Sequence, residues 1–326
     1  MAAQPPAVKW TSRLVELGPL LALAAVMIVF GVLNPRFLSV SNLLGIAENA
    51  AILVVLAVGM TFVIPLGGID LSLEGVMATS SLVVVLLATN DRNEMQLGLW
   101  AVLAGILVGA TFGLVNGIVN TVFKVPSFMV ALGAGAIGVG VATVLFAGRA
   151  PRVLDQSLRG CGLDRWHGIS RLILLAVVIF AIGAVIQYFT KLGRYAFVNG
   201  GDEGIAQYSG INIRLYKTLT FVFAGALFGL AGAMAATRLG VGDVQIGAGM
   251  TFQAIAAVVI GGTLLSGGRG GVFKTLIGTL IIASLANGLI LARVPPHVQI
   301  SMQGVVIVVA VAAAGWQLRE RVRVIK

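Results

Sequence analysis

A single cysteine, Cys161, excludes any intramolecular disulfide, so nothing in this chain is stapled covalently. The two histidines, His167 and His297, stand apart from each other and from any Cys, Asp or Glu at metal-ligand spacing, and no Ser/His/Asp arrangement stands out. No metal site, cofactor site or catalytic site is therefore expected. Charge is scarce as well: Asp, Glu, Lys and Arg make up 10% of 326 residues, with 12 acidic against 22 basic and a net charge of +10. The basic residues are scattered through polar stretches and the C-terminus, which argues against a nucleic-acid partner. Positive loops beside anionic lipid account for them.

What fills the chain is apolar. Hydrophobic residues reach 58% and the mean hydropathy is +1.02, where a soluble domain holds about 45–50% even with glycine counted. The apolar residues come in continuous runs near the twenty needed to cross a bilayer, not in the ten-residue alternating segments of a β-barrel. An all-α, polytopic transmembrane helical bundle is expected. Ten runs qualify: 17–33, 46–66, 74–89, 96–123, 127–147, 171–189, 218–237, 251–266, 272–292 and 298–315. Two of them, 74–89 and 251–266, are short enough to be half-helices or tilted segments, which leaves eight or nine full spans as the alternative.

The first run carries no small-residue cleavage site, so Leu17 onward reads as a retained span. The expected organisation is a cytoplasmic N-terminal tail over 1–16, one membrane domain over 17–315 and a basic cytoplasmic tail over 316–326. Placing both termini in the cytoplasm puts most of the basic residues there, the sign that insertion favours. The stretch 148–170, with Arg149, Arg152, Arg159 and Arg165, runs against that bias, and Asp155 and Asp164 offset it only in part.

Acidic residues at membrane depth are sharper probes, because a buried carboxylate there costs roughly 2.5–3.5 kcal/mol even on lenient scales. Nine of the twelve lie in loops or termini, and the other three are Glu48, Asp70 and Glu74; Glu48 is followed by Asn49. Asp70 and Ser72 lie in Gly67-Gly68-Ile69-Asp70-Leu71-Ser72, just after Pro65, where the helical ladder must break. Either residue is placed to cap a helix starting near Leu73, and either is placed to line a polar path; broken helices at membrane depth serve both ends. Asn116 and Asn120, four apart on one helical face, suit interhelical bonding or the same path.

Glycines at 109, 113 and 117 and at 225 and 229 predict close helix contact; Gly133, Gly135, Gly138 and Gly140 crowd another run. The stretch from Gly268 to Thr275 resembles a phosphate-binding loop but carries Phe273 where its last glycine is required, so nucleotide binding is not expected there. No internal repeat is evident. One polar segment, 191–217, is enclosed by long apolar runs, and must lie outside the hydrocarbon as a docking surface.

Several linked motifs bear a resemblance to a known family. They are Ala57 to Ile64 with Gly67-Gly68-Ile69-Asp70-Leu71-Ser72; Asn116-Gly117 with Lys124-Val125-Pro126-Ser127-Phe128; Gly193-Arg194-Tyr195 with Gly200-Gly201-Asp202-Glu203 and Ser209-Gly210-Ile211-Asn212; and Ala254 to Thr263 with Gly267-Gly268-Arg269-Gly270. From about 42 to 315 the chain resembles the permease subunits of ribose- and xylose-type bacterial ABC importers. The resemblance implies a multi-pass inner-membrane protein that pairs with a second permease copy, identical or related, an ATP-binding subunit supplying two ATP-binding domains and a periplasmic solute-binding protein. It assigns ATPase coupling to Gly200, Gly201, Asp202, Glu203, Ser209, Gly210 and Ile211. The candidate solute path then comprises Glu48, Asn49, Asp70, Ser72, Asn116 and Asn120. The chain departs from the usual pattern at Leu66, Glu74, Ala131, Asp202 and Lys274. Sugar-like cargo is expected; nucleosides, branched-chain amino acids or autoinducer-like solutes are the alternative, and a stand-alone secondary transporter is the reading from another class.

Overall fold

The computed structural model describes residues 7–201, 208, 210, 212–299, 301–306 and 308–309. Its helices are α1 (Ala7–Leu33), α2 (Val40–Val63), α3 (Leu73–Leu87), α4 (Trp100–Val122), α5 (Ser127–Phe146), α6 (Gln156–Leu163), α7 (Arg171–Phe189), α8 (Lys191–Gly201), α9 (Ile213–Leu239), α10 (Met250–Ile260) and α11 (Val272–Leu291). Helical backbone continues at 296–299 and 301–306. Two 3-10 turns, Pro35–Leu38 and Ile64–Leu66, flank α2, and a two-stranded antiparallel ribbon pairs β1 (Arg165–Trp166) with β2 (Ile169–Ser170). Among the described residues, six helices are long and apolar enough to cross a membrane, and Leu17–Leu33, Leu73–Leu87 and Met250–Ile260 are shorter apolar ones. This is the polytopic helical bundle that the composition predicts.

The bundle is built around α2. Ser39 caps it by accepting from the Asn42 N–H, and every residue from Ala50 to Val63 is buried. Such a helix needs apolar side chains all round, because α7, α9, α10 and α11 pack against it on different sides. Beside it α4 and α9 cross at backbone contact. A Cβ on Gly109 would come within 2.1 Å of the Gly225 carbonyl, and one on Gly113 within 2.1 Å of the Phe221 carbonyl, so only glycine permits this approach, as the four-residue spacing predicts. In α5, Gly135 and Gly138 face α3 closely while Gly133 and Gly140 meet open space.

Two breaks shape the interior. After Pro65 the chain turns at Gly67, whose φ of 74° and ψ of 14° are left-handed, and leaves the helix. The Ile69 N–H then bonds Ser127 Oγ at the start of α5, while Leu71 and Ser72 lie against Gly135. Eight residues of α5 span about 12 Å, so the chain climbs that far inside the bundle before α3 begins. At the opposite end, α9 stops at Gly240 with φ 73° and ψ 16°. The following segment runs back along α3, from Leu82 beside Gly242 to Glu74 beside Gly247, and α10 then starts at Met250. Both half-helices thus open inside the bundle and run outward in opposite directions.

These breaks belong to an inverted repeat that the sequence reading did not find. Leu66-Gly67-Gly68-Ile69-Asp70 matches Leu239-Gly240-Val241-Gly242-Asp243, and each aspartate accepts a bond two residues on, from the Ser72 N–H at 2.9 Å and from the Gln245 N–H at 2.6 Å. Later in each half come Asn116-Gly117 and Asn287-Gly288, then Lys124-Val125-Pro126 and Arg293-Val294-Pro295, with Lys124 and Arg293 left-handed at φ 56° and 57°. The spacers between these motifs differ in length, and what recurs is backbone conformation more than side-chain identity.

Candidate functional site

The break before α3 gathers three of the predicted residues. Asp70, Ser72 and Asn116 are all buried, at 0%, 1% and 1% exposure. Asp70 Oδ1 accepts from the Ser72 N–H at 2.9 Å and from Ser72 Oγ at 2.6 Å, and Asn116 Nδ2 reaches Asp70 Oδ1 at 3.5 Å and donates to Ser72 Oγ at 3.1 Å. Asp70 Oδ2 and Asn116 Oδ1 are left without partners in full burial. Such groups keep a cost of roughly 1–3 kcal/mol each until something pairs with them. The helix does begin at Leu73, as expected, but neither side chain caps its first turn. Ser72 makes no side-chain cap bond, because its hydroxyl is engaged by Asp70 and Asn116.

The other predicted residues go elsewhere. Asn120 donates to the Val125 carbonyl at 2.9 Å and closes the turn between α4 and α5. Glu48 pairs with Arg165 at 3.2 Å, and Asn49 Oδ1 accepts from Arg238 at 2.5 Å. Both contacts tie α2 to the end of the bundle that carries α6. There, Asp91 accepts from the Arg152 N–H at 2.8 Å and pairs with Arg149 at 3.2 Å. The Arg152 bond and the nearby guanidinium hold its carboxyl below the ordinary carboxylate value. Glu74, singled out in sequence as an acidic residue at membrane depth and as a departure from the family pattern, is partly exposed on the first turn of α3 and accepts from the Gly249 N–H at 3.2 Å.

At the opposite end α8 makes a junction of bare backbone. A Cβ on Gly200 would lie 1.5 Å from the Pro65 carbonyl, and one on Gly267 would lie 2.6 Å from the Gly200 carbonyl and 2.9 Å from that of Pro65. The Gly268 N–H bonds the same Pro65 oxygen at 2.9 Å. Thus the end of α2, the end of α8 and the loop joining α10 to α11 meet at three glycines. Buried beside Gly200 in sequence, Asn199 has neither polar atom paired. Gly210 is left-handed at φ 73°. Asp202, Glu203, Ser209 and Ile211 lie outside the described residues. Nothing in the glycine spacing announced the Pro65–Gly200 contact, since it joins residues 135 positions apart; the helix-breaking Pro65 was its one local signal.

Comparison with known proteins follows the same lines. Residues 42–311 match the family described as "Branched-chain amino acid transport system / permease component". The chain belongs to this permease family. The permease is 34% identical over 304 residues to the ribose import permease protein RbsC of Escherichia coli strain K12, covering 91% of this chain and 93% of that one. It is 37% identical to RbsC of Bacillus subtilis strain 168, covering 91% of each, and 32% identical to the D-allose transport system permease protein AlsC of E. coli, covering 90% of each. No solved structure matches it. Family membership and six membrane-long helices make the permease a multi-pass protein of the inner membrane.

Proposed function

We propose that this permease is the membrane-spanning subunit of an ATP-driven sugar importer, and that solute passes beside the two half-helices α3 and α10. The observation that carries the reading is the pair of breaks. Non-helical backbone at membrane depth is tolerated only inside protein or beside a water-filled cavity, and half-helix ends aimed at the midplane are how transport proteins build polar sites there. The permease relatives that match over nine-tenths of the chain carry ribose and allose in their names, which favours a polyhydroxylated cargo over an amino acid.

In this reading the chain makes ten spans, α1 to α5, α7, α9 to α11 and the C-terminal run, with both termini cytoplasmic. The α8 end faces the cytoplasm. Two permease copies, two ATP-binding domains and a periplasmic binding protein complete the machine. The segment 191–217 docks on the ATP-binding subunit, and Gly200 passes its movement to Pro65 and Gly267, hence to the foot of both broken helices. The buried Asp70–Ser72–Asn116 cluster holds the α3 break beside the path, its two unpaired oxygens giving it a second arrangement to adopt as the bundle alternates.

Reconstitution tests this. Proteoliposomes holding the permease and its ATP-binding subunit should take up radiolabelled ribose only with ATP inside and loaded binding protein outside. Uptake driven by an ion gradient without ATP would overturn the importer reading in favour of a secondary transporter.

A further inference from the structure

We infer that Glu74 is the hydroxyl-reading carboxylate of the solute path, an inference that rests on the importer reading above. Depth comes first. Glu74 stands thirteen residues from Leu87, about 20 Å of helix from that end of α3, and α3 itself begins about 12 Å inside the opposite end. In a hydrocarbon core of about 30 Å this is the interior.

At that depth the residues around Glu74 are not covered. Glu74 is partly exposed, and Gln245, Ala248 and Gly249, all in non-helical turns, are exposed. A carboxylate and open backbone in this position are incompatible with lipid, whose tails offer no donor or acceptor. In the importer reading, the water of the solute path meets them.

The carboxylate is also held ready. Among the described residues no cation lies within ion-pair distance of it, and its single bond is to the Gly249 N–H at 3.2 Å through Oε1. Oε2 is left to accept from something else. The first turn of α3 and the N-terminus of α10 both place the positive ends of their helix dipoles beside it. One turn on from Gly249, on the same face of α10, Phe252 is 61% exposed. A carboxylate that accepts hydroxyl protons beside an exposed aromatic ring suits the two faces of a neutral sugar. Anionic solutes are repelled by the same charge.

The test uses the complete importer in proteoliposomes with Cys161→Ser as background. Glu74→Cys should react with a small hydrophilic thiosulfonate, and ribose uptake should stop as it does. Glu74→Gln keeps size and one acceptor but loses charge, and should lower ribose uptake roughly tenfold, the worth of one charge-assisted bond, while half-saturation by loaded binding protein and assembly stay unchanged. Glu74→Asp should recover part of the rate. Wild-type uptake by Glu74→Gln, or an unreactive Glu74→Cys in correctly assembled complex, would overturn the inference. If the unsubstituted complex takes up no ribose, the importer reading fails instead, and thiol reactivity alone still decides whether Glu74 faces water.

Discussion

Replacing Asp70 separates what holds the α3 break from what works there. Asp70→Leu removes the acceptor for the Ser72 N–H and for Ser72 Oγ, both in full burial. Two buried donors left unpaired cost roughly 2–6 kcal/mol together, at 1–3 kcal/mol each. Asp70→Asn retains an acceptor at Oδ1 and places its amide where Oδ2 has no partner, so its cost is within about 1 kcal/mol. At about 2.1 cal/mol/K of unfolding entropy per residue, 1 kcal/mol moves the melting midpoint of a 326-residue chain by about 1.5 °C, so the leucine variant should melt at least about 3 °C lower and the asparagine variant near wild type. Midpoints are read by size-exclusion recovery of the purified complex after heating, and uptake in proteoliposomes is normalised to assembled complex. Asparagine should assemble normally with uptake reduced severalfold, because the proposed importer has the cluster beside the solute path. A leucine variant as stable as wild type would refute the bonding argument, and a fully active asparagine variant would leave Asp70 a structural role only.

Three further outcomes are expected. Gly109→Ala should force α4 and α9 apart, since its Cβ would lie 2.1 Å from the Gly225 carbonyl, and lower stability by about 1–3 kcal/mol, while Gly133→Ala, with nothing within 4 Å, should be silent in the same melting assay. Gly200→Ala should yield assembled complex whose ATP hydrolysis no longer drives uptake, whereas Gly45→Ala, which meets nothing within 4 Å, should transport normally; normal uptake by the first would remove the Pro65–Gly200–Gly267 junction from the mechanism. With Cys161→Ser as background, Glu94→Cys and His167→Cys, at exposed positions, should react with an impermeant thiol reagent in intact cells and Tyr208→Cys, 95% exposed, should not. Labelling at Tyr208→Cys would reverse the orientation.

Much was legible in the chain alone because hydrophobicity is a local quantity. Run lengths named the membrane-long helices, and the shortness of 74–89 and 251–266 marked α3 and α10 as half-helices or tilted segments before any contact was known. Glycine spacing located the α4–α9 contact, since a four-residue step puts small residues on one helical face. Pro65 and the two glycines after it marked the break because proline and glycine act on their own backbone. What tertiary structure decided depends on which distant residues meet. Asn116 reaches Asp70 while Asn120, one turn along the same helix, closes a turn; Gly200 touches Pro65; and Gly249 finds Glu74. The inverted repeat was hidden for the same reason: its halves share left-handed turns at Gly67 and Gly240 and at Lys124 and Arg293, and dihedral angles leave little trace in side-chain identity. Pairing across a bundle is a property of the packed whole, and no window of sequence contains it.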